Sequence, residues 1–468
     1  MSLHRLVATQ VIDRPPDDVF AFFAEPRNLA RITPPGMRFQ FLTDDFAMRA
    51  GLEIDYRFRP LPGMPARWRT RITDYEPPLG FTDTQLQGPY RHWVHRHGFT
   101  PVDGGTLVRD EIEYAAPFGP LGDLANRLVV RGELEHIFRY RAAVIGNALR
   151  APGAPTGRTV AVVGGTGFVG GAIAAELHRR GDRVIVLSHR GDAARGPLPD
   201  EVEIRTADVA DPASLSVALR GVDAAVIALA FPNSPMESPR RGHTFMAVDA
   251  DGTEHVVLAA RSSGIRHIVY VSGAGAAPDA EDHWFRAKWR AEESVRTSGI
   301  PFTIIRPTWI FGPRDVSLNR FLTFARRLPV VPLTNTGRQL LAPVFVDDVA
   351  RLVADALTDP AAACEVFELG GPETMTMREI IGRATRVTGH RRPILPGPTP
   401  LLKLGSWPLS FLPAPPLTPD AVDFINQPAT VDLAPLLERM PRRLTPFEEG
   451  LAAYLGPDPT GRRTLTFD

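Results

Sequence analysis

Three glycines, Gly164-x-x-Gly167-x-x-Gly170, stand directly after the apolar run Thr159–Val163 and before a helical pattern from Ala172 to Arg179. That context gives the triplet chemical meaning. At 164 the missing Cβ permits a tight turn. At 167 it lets backbone N–H groups approach a pyrophosphate, and at 170 it lets the following helix pack on the strand. The helix N-terminus then favours the phosphate charge. Thr166, Phe168 and Val169 share the loop and join the expected contact set.

Roughly 20 residues further on, at the end of a second apolar run, an acid would bind the ribose hydroxyls of NAD. Arg190 stands there instead. An arginine at that place pairs with a 2′-phosphate, so NADP is expected ahead of NAD. The alternative is a surface arginine with Asp192 as a displaced acid, which keeps NAD open. Asp208 and Val209, after the next short strand, are expected by the adenine. Ala228 and Leu229 are expected beside the cofactor, and Pro307 completes the set.

Lys288 draws notice through composition. Of 53 basic residues only Lys288 and Lys403 are lysines, so position 288 is one where arginine does not serve. A compact ammonium beside a ribose is such a place. The alternative is a helix-surface residue paired with Glu292 at i+4.

A second cluster is His92, His95 and His97. On a strand, His95 and His97 share a face with Trp93, and His92 points away. With an acid such as Asp110 they could bind a metal. The alternative is polar residues satisfied within the sheet or lining a cavity, and no metal is expected.

The elements that must position these residues fall into two segments. Ala151-Pro152-Gly153-Ala154-Pro155-Thr156-Gly157 reads as a linker (151–157). It separates a domain of residues 1–150 from one of residues 158–468. The first begins with a strand-like run, Leu3 to Ile12, and a helix start at Pro15-Pro16-Asp17-Asp18. Five short strands follow: Gly51 to Phe58, Trp68 to Tyr75, Phe81 to Leu86, Trp93 to Thr100 and Thr106 to Tyr114. A long amphipathic pattern, Leu121 to Leu149, closes it. This is an α+β layout with a helix over a curved sheet. The second segment alternates strands and helices: Thr159–Val163, Arg183–Leu187, Ala224–Ala228, His267–Ser272 and Phe302–Arg306. That pattern means an α/β Rossmann fold with a parallel sheet. The last hundred residues are proline-rich and less regular, as in a small substrate-capping portion. Pro400 to Leu417 is a candidate cap over a hydrophobic substrate, or ordinary packing over the sheet edge.

Lys+Arg and Asp+Glu are both 53 in this chain of 468 residues, which argues against nucleic acid as a partner. One cysteine, Cys364, excludes an intramolecular disulfide and a cysteine metal cluster. No run approaches the roughly 18 apolar residues of a spanning helix, and the N-terminus lacks a signal core. The cytoplasm is the default location, with peripheral membrane contact left open.

From 160 to 370 the chain resembles the short-chain dehydrogenase/reductase superfamily in its extended or atypical branch. The residues that carry this are the glycine loop, Gly264-Ile265-Arg266-His267-Ile268-Val269-Tyr270-Val271-Ser272, Ile305-Arg306-Pro307-Thr308, Phe311-Gly312-Pro313 and Phe345-Val346-Asp347-Asp348-Val349-Ala350. The closing part, from Pro415 through Leu451, resembles the nucleotide-binding accessory subunit of respiratory complex I and its bacterial relatives. The resemblance implies a Tyr-x-x-x-Lys pair and an orienting serine. Ser272 and Lys288 match the serine and the lysine, but Trp284 stands where the tyrosine belongs. An indole donates through N–H and does not shuttle a proton. Three consequences stay open. His283 or Tyr270 supplies the proton, or water does, or the domain binds NADP(H) without catalysis.

The first 150 residues resemble the helix-grip family of START-like and polyketide-cyclase-like (SRPBCC) proteins. Ala24-x-x-x-Asn28-Leu29-x-x-Ile32-Thr33-Pro34-Pro35, Asp83 to Pro89, Trp93-x-His95-x-His97-x-Phe99, Asp110 and Tyr114-x-x-Pro117-x-Gly119 carry this. It implies an apolar cavity for a hydrophobic small molecule. The expected whole is an NAD(P)H-dependent oxidoreductase or epimerase-like protein acting on a hydrophobic substrate. The rival is a non-catalytic NADP(H)-binding sensor or assembly protein.

Overall fold

Alternation along His92–Val102 buries Trp93, His95, His97 and Phe99 and leaves Arg96 exposed. Gly105–Ala115 does the same with Val108, Asp110, Ile112 and Tyr114. Such a strand has one face for a core and one for water. The computed structural model describes residues 2–468 except 35–36, 45, 62–63, 192–194, 232–236, 390, 401–426 and 457–461. It divides into two units, Met1–Ala151 with Ala452–Asp468, and Pro152–Leu451.

In the first unit the strands are β1 (His4–Ile12), β2 (Gln40–Phe41), β3 (Glu53–Leu61), β4 (Met64–Glu76), β5 (Gly80–Gln87), β6 (His92–Val102) and β7 (Gly105–Ala115). They form an antiparallel sheet in the order β2-β3-β4-β5-β6-β7-β1, completed by Arg463–Phe467 at the chain's far end. The helix Arg131–Ala148 turns Leu134, Phe138, Tyr140, Val144 and Ile145 inward. Fully burying side chains of this size contributes about 1.5–3 kcal/mol each. This is the expected helix-grip arrangement. Two details differ. The helical pattern from Leu121 is broken into Pro120–Ala125, a π-type turn Asn126–Val130 and the long helix. The last seventeen residues, expected with the second domain, return to the first: Leu6 pairs with Phe467 and Gln10 with Arg463. Thr464 and Thr466 alternate with Leu465 and Phe467, so this short run has a face that packs with Leu6, Trp93 and Phe138.

In the second unit β8 (Thr159–Val163), β9 (Arg183–Ser188), β10 (Glu203–Thr206), β11 (Ala224–Ile227), β12 (His267–Val271) and β13 (Phe302–Pro307) are parallel. Their order is β10-β9-β8-β11-β12-β13, followed by Glu365–Leu369. Val160, Ala161, Val162 and Val163 are all buried, because helices cover both faces of such a sheet. The order reverses direction between β8 and β11, the switch point of a doubly wound fold, and ligands bind outside the carboxyl ends of the strands there. Leu436, Met440 and Leu444 pack into the same core. The proposed cap from Pro400 to Leu417 lies outside the described residues, apart from Pro400, as does Asp192.

Candidate cofactor crevice and a buried histidine–aspartate cluster

Gly164 leaves β8 with φ +80°, and a Cβ there would lie 2.5 Å from the Ala228 carbonyl oxygen. Glycine therefore serves both the turn and the close approach to the end of β11. A Cβ at Gly170 would lie 2.3 Å from the Gly164 carbonyl oxygen, so the helix seats on the loop only with glycine. Gly167 differs. Its φ is −74°, and the nearest atom to a Cβ is Gly164 O at 3.1 Å. The protein crowds this position least of the three. Gly167 begins the helix Phe168–Arg179 without a side-chain cap, which leaves first-turn N–H groups to an outside acceptor. These features fit a dinucleotide pyrophosphate.

Arg190 is exposed two residues past β9, and its guanidinium has no partner among the described residues; its own N–H bonds Ser188 Oγ at 3.2 Å. Asp208 is exposed past β10 and organises its own turn, accepting from Ala210 N at 2.9 Å. Val209 packs on Gly252. Ala228 continues β11 by bonding Val163 O at 2.9 Å, with Leu229 buried beside it. Pro307 ends β13, where its carbonyl accepts from Ala274 N at 2.8 Å. One bracing residue was not foreseen. Arg314 donates to the carbonyls of Thr166 and Gly167, both at 3.1 Å. It follows Phe311-Gly312-Pro313 directly, and Gly312 lies against the Phe168 ring.

The expected catalytic groups are placed differently from expectation. Ser272 is buried at the end of β12 and donates to Glu292 Oε1 at 2.6 Å. Glu292, fully buried, also accepts from Arg306 at 2.8 and 2.7 Å and from Arg296 at 2.7 Å. A hydroxyl has one proton to give, and that of Ser272 is committed. Lys288 is only 2% exposed. Its Nζ lies 2.9 Å from Asp249 Oδ1 and donates to Leu229 O at 2.8 Å, above the Tyr270 ring. The surface pairing with Glu292 does not form. Trp284 occupies the tyrosine place against the strand end, where a Cβ on Gly273 would meet its Cη2 at 2.9 Å.

Neither alternative proton source is suited. His283 is exposed and faces Glu237 at 3.0 Å. Tyr270 is fully buried, and burial, then the Asp249 and Glu292 carboxylates, push its phenol well above its ordinary range.

The first unit holds a cavity of about 480 Å³ between sheet and long helix, walled by aromatic side chains such as Phe58, Trp68, Phe81 and Trp93. Its polar floor is Asp83 on β5, His95 and His97 on β6 and Arg141 on the helix, with Asp110 on β7 behind the histidines. Register explains the grouping: Asp83 pairs with His95 and Asp110 with His97. His95 Nε2 lies 3.2 Å and His97 Nδ1 2.6 Å from Asp110 Oδ1. His95 Nδ1 and His97 Nε2 lie 3.5 and 3.3 Å from Asp83 Oδ2. Burial, then the charge of His97, pushes His95 down to about 4. Burial also works against charge on His97, but Asp110 and Asp83 hold it above its ordinary value. Burial opposes ionisation of Asp110, yet Arg141 and the histidines hold it well below the usual carboxylate range. His92, as expected, does not share that face. Asp83 and Arg141 were not foreseen as members; only strand register and helix docking bring them in.

Residues 164–360 match the NAD(P)H-binding family, and residues 4–143 match the family described as polyketide cyclase / dehydrase and lipid transport. Over 242 residues the chain is 32% identical to a (4-alkanoyl-5-oxo-2,5-dihydrofuran-3-yl)methyl phosphate reductase of Streptomyces griseus, covering 49% of this chain and 74% of that protein. It is 29% identical over 243 residues to a ceramide reductase of Caulobacter vibrioides, covering 52% and 74%. It is also 29% identical over 252 residues to the mitochondrial NADH-ubiquinone oxidoreductase 40 kDa subunit of Neurospora crassa, covering 53% and 64%. The solved structure of Citrobacter sp. triphenylmethane reductase complexed with NADP(H) shares the fold, at 23% identity and a TM-score of 0.52, over 64% of this chain and 100% of that one. No helix among the described residues is long and apolar enough to cross a membrane. The second unit of this chain therefore belongs with the NAD(P)H-binding reductases, and residues 4–143 are similar to the polyketide cyclase, dehydrase and lipid-transport family.

Proposed function

We propose that the second unit is a cytoplasmic NADPH-dependent reductase of a hydrophobic carbonyl or quinone-like molecule, and that the first unit holds a hydrophobic ligand in its cavity. The observation that carries the cofactor preference is the free guanidinium of Arg190 past β9, in the place of a ribose-binding acid. Gly164, Gly167 and Gly170 cradle the pyrophosphate, with Thr166, Phe168 and Val169. Asp208 and Val209 border the adenine, and Ala228, Leu229 and Pro307 border the rest of the cofactor. When bound, the nicotinamide supplies a hydride. Lys288 supports the crevice from beneath by holding the Leu229 carbonyl. Ser272, its proton committed to Glu292, fixes the end of β12, and the transferred proton comes from water. Exposed Phe118, Leu121 and Leu124 support transient membrane contact by the first unit.

A second reading is a non-catalytic NADP(H) sensor or assembly protein. It is favoured by Trp284 in the tyrosine place and by the Lys288–Asp249 ion pair. Titration with NADPH and NADH, followed by assay against quinones and lipophilic ketones, separates the two. Oxidation of NADPH on any of them supports the reductase. Tight binding without turnover supports the sensor, and failure to bind either dinucleotide removes both.

A further inference from the structure

Two imidazoles on the cavity floor present four ring nitrogens to two carboxylates. Neutral rings carry two N–H groups between them, so two of the four contacts must set a lone pair against a carboxylate. Two of the four contacts have hydrogen-bond geometry, His95 Nε2 to Asp110 and His97 Nε2 to Asp83. The contacts to Asp110 are the closer, at 3.2 and 2.6 Å. Those to Asp83 are longer, at 3.3 and 3.5 Å. His95 Nε2 is hydrogen-bonded to Asp110, which leaves the lone pair of His95 Nδ1 toward Asp83. His97 Nε2 meets Asp83 Oδ2 in hydrogen-bond geometry, and a bound ion would replace that proton, which moves to Nδ1 beside Asp110. Three ligand atoms, two on buried histidines and one on half-buried Asp83, then converge on one point.

From this geometry we infer that Asp83, His95 and His97 form a binding site for a divalent transition-metal ion, with Asp110 as its outer support. The three ligand atoms lie within 4.8 Å of one another. Donors about 2.1 Å from a tetrahedral ion stand about 3.4 Å apart, close to the two spacings to Asp83. The outer groups take the form such a site needs. Histidine ligands direct their second nitrogen at a carboxylate, and here one carboxylate, Asp110, serves both rings. Arg141 stands 3.6 Å behind it. Thr70 Oγ1 donates to the other oxygen of Asp83 at 2.9 Å, turning Oδ2 toward the histidines. Two imidazoles and one carboxylate suit zinc(II) or iron(II). Three protein ligands leave at least one position open, and all three residues line the cavity. Water or an oxygen donor of the cavity's ligand fills that position. The sequence pattern leads to no metal, with the histidines satisfied in the sheet or lining the cavity; Asp83 enters only through the register of β5 on β6.

The test loads the full chain with cobalt(II), dialyses it, and records its metal content and proton spectrum. One cobalt per chain is expected, with two exchangeable, paramagnetically shifted N–H resonances from His95 Nε2–H and His97 Nδ1–H. Asp83→Asn should remove the retained ion, and Asp110→Asn should weaken binding by about 10–100-fold. Wild-type protein that retains no cobalt overturns the inference. So does cobalt bound without the two shifted resonances, or held equally by Asp83→Asn. The wild-type spectrum decides the matter even if a variant does not fold.

Discussion

The ammonium of Lys288 stands 2.9 Å from the carboxylate of Asp249, and both side chains are closed to solvent. Removing one member of such a pair leaves a buried charge uncompensated, at a cost of about 3–5 kcal/mol. Lys288→Met is therefore expected to destabilise the second unit by that amount in denaturant unfolding, and Lys288→Met with Asp249→Leu by much less. A lysine serving chiefly the ribose would behave otherwise. Its loss would leave the unfolding midpoint in place and weaken NADPH alone.

Gly167 and Gly170 should respond oppositely to alanine. At 170 the new methyl meets Gly164 O at 2.3 Å, and the loop must move. At 167 the backbone is already in a region open to alanine, with one contact at 3.1 Å. Gly170→Ala should lower the unfolding midpoint, while Gly167→Ala should keep it and weaken NADPH binding. Equal effects on stability at both positions would contradict this division.

Arg190→Ala is expected to weaken NADPH by about 10–100-fold, the worth of a charged hydrogen bond or two at about 1.5–3 kcal/mol. NADH should be unaffected, since only the 2′-phosphate distinguishes them. Parallel losses in calorimetric titrations would remove Arg190 from the cofactor choice.

Trp284→Tyr should not by itself create turnover. The tyrosine would lie against Gly273, but Lys288 is held by Asp249 and Leu229 O and is not free to lower its pKa. A tenfold rise in NADPH oxidation across the ketone and quinone panel would mean that the ion pair opens on cofactor binding.

Asp315 caps the helix Val316–Arg327, accepting from Ser317 N at 2.9 Å and Leu318 N at 2.8 Å. Burial nevertheless raises its pKa from 3.8 to about 6. The folded chain thus holds this proton more tightly than the unfolded one. The resulting stabilisation is complete below 3.8 and is lost as pH rises through 6, a change of about 3 kcal/mol. Asp315→Asn cannot ionise, so its thermal stability should lack that decline, whatever constant offset the lost acceptor brings. Parallel pH curves for the two proteins would refute this.

Much of this was legible because some residues report their surroundings directly. Val160–Val163 is apolar on every position, which only a strand covered on both faces tolerates. Trp93, His95 and His97 alternate, and alternation alone assigns their common face. What sits across from them was not legible. Asp83 reaches His95 only through the register of β5 on β6, and β4 against β5 is irregular near Ile72 and Asp74. Lys288 stands out by composition, and the structure buries it rather than leaving it on the helix surface. Its partner Asp249 lies in the π-type turn Met246–Asp251, a local geometry with no periodic signature. Ser272 was correctly placed at a strand end, but Glu292, which takes its proton, was visible only as a helix-surface partner for Lys288.

The run Arg463–Phe467, paired to β1, bears on how the chain is made. The ribosome completes β1 through the long helix first, then some 300 residues of the second unit, and only then the strand that covers the edge of β1. At roughly 5–20 residues per second the wait is about 15–60 s. During that time a row of unpaired backbone groups faces solvent, the kind of edge at which chains join one another. Expression of residues 1–151 alone would make that interval permanent. The same few residues tie the first unit's sheet to synthesis of the second, since the sheet is finished only once translation has passed Phe467.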